Sequence, residues 1–161
     1  MENYNRFYEF MLSYTEFFEN VSTLEEEKFK ALYSREPERI DAALKEQITT
    51  ERRTFDFEEQ RVKLLADMGL EGKKFSEIIE DFGQESGTDT SEYKNLRNVL
   101  QRLRIAVDKT KLFNGKSLEF AQMNLNIINE ISGAENIDTT TYSSKGEQKD
   151  SSRPSFFNKS V

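Results

Sequence analysis

Two glutamates, Glu51 and Glu58, are spaced so as to invite a catalytic reading. On a helix, seven residues put two carboxylates on one face about 10 Å apart, a separation that suits water-mediated hydrolysis inside a pocket. No pocket is implied by the polar and charged residues around them. The chain also has no histidine and no cysteine, which removes imidazole bases, thiolate nucleophiles, disulfides and the usual zinc ligands together. Glu51 and Glu58 are therefore expected at the edge of a helical bundle, paired with Arg52, Arg61 or an arginine of another helix. No catalytic residue, cofactor or metal is expected, and the chain reads as a binding protein rather than an enzyme.

Charge narrows the partners. The formal net charge is −7, so the long-range field repels a phosphate backbone. Arg97, Arg102 and Arg104 form a local basic group, but arginines at these spacings read as a solvated face or as partners of neighbouring acids, and nucleic acid is not expected. The first ten residues are polar and aromatic, without a basic region leading into an apolar run, and no stretch of about eighteen apolar residues occurs. A cytoplasmic protein with no membrane insertion is expected.

The elements that must position these residues are helices. Charged residues make up 33% and hydrophobic ones 35%, a ratio that favours long helices each burying one stripe. Residues 3–33 repeat apolar side chains at Phe7, Phe10, Met11, Tyr14, Phe17, Phe18, Val21, Leu24, Ala31 and Leu32. Lys28 interrupts that stripe and is expected to lay its stem on the apolar surface with its ammonium in water. Pro37 ends the first helix at Glu36 and opens a second over residues 37–68, with Ile40, Leu44, Ile48, Phe55, Val62 and Leu65 facing inward and Gly69 as the left-handed cap. The short link makes an antiparallel hairpin. Residues 70–91 read as a connector, with two helical turns at 75–82 before Gly83 and a cap near Asp89 or Thr90.

A third helix over residues 91–132 starts with one seam, Tyr93, Leu96, Leu100, Leu103 and Val107. Its continuation falls on small or polar residues, Thr110, Asn114, Ser117, Ala121 and Asn124. Meanwhile Phe113, Leu118, Phe120, Met123, Leu125, Ile127, Ile128 and Ile131 spread around the circumference. Two readings stand: the stripe drifts and the hairpin covers it, or part of the surface receives an amphipathic helix of a partner. The expected architecture is all-α, a hairpin plus a long third helix in a three-helix, coiled-coil-like bundle over residues 1–132. Residues 133–161 read as a flexible polar tail with two apolar features, Tyr142 and the pair Phe156-Phe157.

The run of residues 25–40, acidic and then broken at Arg35-Glu36-Pro37, resembles the end of the first helix in the FlgN family of flagellar export chaperones. Leu44-Lys45-Glu46-Gln47 with Glu51-Arg52-Arg53, and Met68-Gly69-Leu70, are similar to the family's second helix and its end. Asn114-Gly115, the helix through residues 125–131, and Tyr142 followed by Gly146 resemble its last helix and tail. The family more often has Gly-Asp where this chain has Arg35-Glu36. The resemblance implies a bacterial cytoplasmic chaperone that binds C-terminal helical segments of hook-associated (hook-filament junction) proteins and delivers them to the flagellar type III export apparatus. It implies client binding by the C-terminal part of the chain, where Leu118, Met123, Leu125, Ile128 and Ile131 are the expected contacts, and docking at the export gate through Tyr142. The competing expectation is a structural coiled-coil or adaptor protein that closes its bundle or forms a homodimer.

Overall fold

A first stripe of aromatic and aliphatic residues every three or four positions produces helix α1, Glu2–Ser34, which buries Phe7, Met11, Tyr14, Phe17, Phe18, Val21 and Ala31. The computed structural model describes residues 2–132. Helix α2 spans Pro37–Asp67, α3 Phe75–Ser86 and α4 Ser91–Ser132, with no strand among the described residues. The fold is all-α.

Each helix end has a local cause. Between α1 and α2, Arg35 takes the left-handed conformation (φ 60), Glu36 is extended, and the Glu36 N–H donates to Ser34 Oγ at 3.2 Å. Pro37 then supplies a preset first turn. Gly69 (φ 69) closes α2 with paired bonds, Leu70 N–H to the Leu65 carbonyl at 2.8 Å and Gly69 N–H to that of Ala66 at 3.0 Å, a Schellman motif. Glu77 accepts the Lys74 N–H at 2.8 Å to start α3, and Thr90 Oγ1 accepts the Tyr93 N–H at 3.3 Å to start α4.

Helix α1 is the centre of the assembly. It packs along α4 for most of its length and along α2, while α3 packs on α4. Helix α2 runs antiparallel to α1, as Arg6 reaches Asp67, Phe57 stacks on Phe17 and Lys28 meets Gln47. Helix α4 runs parallel to α1, a direction that the hairpin plus connector imposes: α2 returns the chain to the start of α1 before α4 begins.

Residues 70–91 do more than connect. Helix α3 passes through Gly83 to Ser86, and Phe75, Ile78 and Ile79 enter the core. The Phe75 ring lies edge-on to Phe7 and Tyr14, with centroids 5.8 and 5.7 Å away. Inside the helix Gly83 faces the Tyr93 ring, and an added Cβ would lie 2.5 Å from Tyr93 Cε2. Gly83 therefore serves close packing between α3 and α4.

Two inward assignments in the first helices are corrected. Lys28 is buried, and its ammonium is held by Glu25 at 2.6 Å and by Gln47 Oε1 at 3.2 Å instead of reaching water, because α2 covers it. On α2, Leu65 is buried and Ile40 half-buried, but Leu44, Ile48, Phe55 and Val62 are exposed. The face that meets α1 is carried instead by Phe57, Arg61, Leu64 and Leu65, turned more than roughly a third of the circumference from the regular apolar stripe.

Candidate partner-binding surface

The register of α1 against α4 can be followed contact by contact. Tyr4 donates to the Glu92 carbonyl at 3.4 Å, Arg102 pairs with Glu19 at 2.7 Å and Lys109 with Glu26 at 2.6 Å. Farther along, the Phe29 and Phe113 rings lie 6.0 Å apart and those of Tyr33 and Phe120 5.6 Å. The seam keeps its line through the small residues: Thr110 and Ser117 are buried against α1, with the aromatic pairs beside them. Helix α1 then ends at Ser34, whereas α4 continues to Ser132. Residues 121–132 add three more turns, about 18 Å of helix past the last paired ring.

That overhang and the turn before it carry the apolar surplus. Leu118, Met123, Leu125, Ile127, Ile128 and Ile131 are all exposed, Ile131 at 81% and Leu118 at 65%. Leu118, Met123, Leu125, Ile128 and Ile131 thus share one end of one helix, on more than one of its faces. Leu118 and Met123 border a shallow open depression with Glu119, Gln122 and Asn126. Tyr142 lies outside the described residues. Exposed apolar side chains clustered this densely are unusual on a soluble protein's surface, which makes this end of α4 the candidate interaction surface.

A family model described as FlgN protein matches residues 1–150. The chain belongs to the FlgN family. Compared with curated proteins and with solved structures, it matches none. Membership carries the general role of a flagellar export chaperone, a family of chaperones and not of enzymes. In this FlgN-family chain no described helix is long and apolar enough to cross a membrane.

Two exposed features were not assigned to binding from the sequence. Ile127 belongs to the overhang, and its place in the run Leu125 to Ile131 was the available signal. The α2 stripe of Leu44, Ile48, Phe55 and Val62 forms a second exposed apolar surface. Its spacing of four and then seven residues keeps to one face as a core stripe does, and the pattern carries no mark of which helix, if any, covers it.

The charged candidates resolve into local pairs in this FlgN-family fold. Glu51 is exposed and accepts from Gln47 Nε2 at 2.9 Å, an amide rather than the expected arginine. Glu58 accepts from Arg61 Nε at 2.9 Å, and this bonding raises the pKa of the buried guanidinium against the opposing effect of desolvation. A carboxylate clamped this way by a buried guanidinium is a structural ion-pair member. Arg97 is bound to Glu80 at 2.7 Å, and Arg102 grips Glu19 with two bonds of 2.9 and 2.7 Å, which hold that carboxyl below the usual range. Only Arg104 of the three stands exposed without a pair described above.

Proposed function

We propose that this chain is a cytoplasmic export chaperone that takes C-terminal helical segments of hook-associated flagellar proteins on the free end of α4 and delivers them to the type III export apparatus. One observation carries the reading: α4 outruns α1 by three turns, and those turns display Leu125, Ile127, Ile128 and Ile131 to solvent. An amphipathic client helix laid there buries its own apolar face, and each large aliphatic side chain removed from water contributes about 1.5–3 kcal/mol before the cost of ordering. Leu118, Met123, Leu125, Ile128 and Ile131 are the proposed contacts. Tyr142, ten residues past the end of α4, is the proposed docking residue for the export gate.

The test is binding of a synthetic peptide from the C-terminal helix of a hook-associated protein to the full chain, by calorimetry. A one-to-one complex is expected, weakened about 100-fold or more by Leu125→Asp with Ile128→Asp, a loss of roughly 3 kcal/mol for two buried anchors. Because both side chains are exposed, the thermal midpoint of the variant should stay within a degree or two. Binding that ignores the two substitutions would sink the assignment of the surface.

The exposed stripe on α2 favours a second reading, an adaptor that self-associates through Leu44, Ile48, Phe55 and Val62 at coiled-coil spacing. Light scattering separates the two. A monomer that gains only the mass of the peptide supports the chaperone, and a tight dimer that Ile48→Asp with Phe55→Asp dissolves supports the adaptor.

A further inference from the structure

The overhang of α4 contains a charge pattern that the client reading does not use. From Ser117 to Ser132 the charged residues are Glu119 and Glu130, both acidic and both exposed. They stand eleven residues apart, three turns of helix, and so occupy one face about 16 Å from each other. Met123 and Ile127, at steps of four from Glu119, lie on the same side and are exposed. This face therefore presents acid, two apolar side chains, acid.

One segment of the same chain presents the complement. Residues 153–161 contain no acid, two bases and an apolar pair in the order Arg153, Phe156-Phe157, Lys159. Six residues separate the bases, up to about 20 Å when extended, which covers the span between the glutamates. Phe156 follows Ser132 by 24 residues, a tether of up to about 80 Å that reaches every part of the overhang. The α2 stripe is mixed in charge, with exposed Asp41, Glu51 and Glu59 as well as Lys45, Arg52 and Lys63 around it, whereas the overhang face carries acids alone.

We propose that residues 153–159 dock on the Glu119, Met123, Ile127, Glu130 face of α4, with Arg153 and Lys159 against the two carboxylates and the phenylalanine pair over Met123 and Ile127. The segment is then the resting occupant of the overhang and competes with the client, a consequence that rests on the client-binding reading above. Tethering supplies a local concentration on the order of millimolar, enough for two ion pairs and two rings to hold without being tight.

The chain has no tryptophan, so Phe157→Trp gives a single reporter in the full-length protein. Its emission should be blue-shifted from that of an exposed indole and should not change on dilution. Glu119→Lys with Glu130→Lys should return it to the water value at unchanged helicity by circular dichroism, and adding Arg153→Glu with Lys159→Glu should restore the shift. Water-like emission in the unsubstituted background, or a charge swap that fails to restore, overturns the docking; a shift that vanishes on dilution overturns it in favour of a second copy's tail. Phe156→Asp with Phe157→Asp should tighten the hook-associated peptide about threefold or more, the fraction of overhang released from self-occupancy, and an unchanged affinity overturns the competition. The fluorescence arm contains no client, so it stands or falls separately from the proposed function.

Discussion

Arg35 is the one non-glycine residue with positive φ among those described. The reversal between α1 and α2 demands a left-handed residue there, and an arginine side chain makes that conformation cost about 1 kcal/mol. Arg35→Gly is expected to raise stability by about 0.5–1 kcal/mol, read as an increased urea midpoint with unchanged slope. A second effect belongs to Glu19. Arg102 depresses its pKa in the fold, so the unfolded chain takes up the proton first as the solution is acidified. The stability that this pair contributes is complete above the ordinary carboxylate pKa and is lost as pH falls through the depressed value. Both side chains are over a third exposed, so its size is about 0.5 kcal/mol after solvent screening. In urea melts, the stability lost between neutral and acid pH should be smaller by that increment in Arg102→Gln than in the native chain, since Glu26 and Glu92, whose pKa values are also lowered, contribute equally to both.

At the scale of elements, the short helix α3 has more influence than its length suggests, because it closes the core where α1 and α4 begin. Gly83 tests this. In the native background Gly83→Ala forces its Cβ against the Tyr93 ring, whose hydroxyl is bonded to Glu80 at 3.2 Å, and is expected to destabilise by about 1 kcal/mol. In a Tyr93→Ala background the same change should stabilise by about 0.5–1 kcal/mol, since alanine is the better helix former. The coupling is read from a double-mutant cycle, and additive effects would contradict the packing role. The glycine was legible as a helix stop from local propensity, whereas its actual use depends on a ring ten residues away. The α2 stripe illustrates the same limit: period and spacing identify a face, but packing on α1 selects a different one, through Phe57 and Leu64.

At the scale of the molecule, unequal helix length is what creates the candidate site. Within the paired region, Leu100, Leu103 and Val107 are covered by α1, while residues 121–132 extend past its end. A helix of three unsupported turns is marginal in water. Its amides should therefore exchange with solvent hydrogen about 100-fold or more faster than those of residues 100–107, and a bound client helix should slow them. Hydrogen exchange by mass spectrometry measures both, and equal protection along α4 would contradict an exposed overhang.

Sequence alone determined the all-α class, the breaks at Glu36 and Gly69, the lack of histidine and cysteine chemistry and the surplus of apolar residues late in α4. These follow from local rules: proline and glycine act on their own backbone, and periodicity is a property of one helix. Whether the surplus is buried or exposed depends on what lies beside it, and only the tertiary structure supplied that. The parallel register brings Tyr33 to Phe120 and ends α1 there, so the last three turns of α4 have no neighbouring helix among the described residues. The same arrangement turned Lys28 from a surface lysine into a buried ion pair. Burial is a relation between elements, and a single chain read in order carries only one side of it.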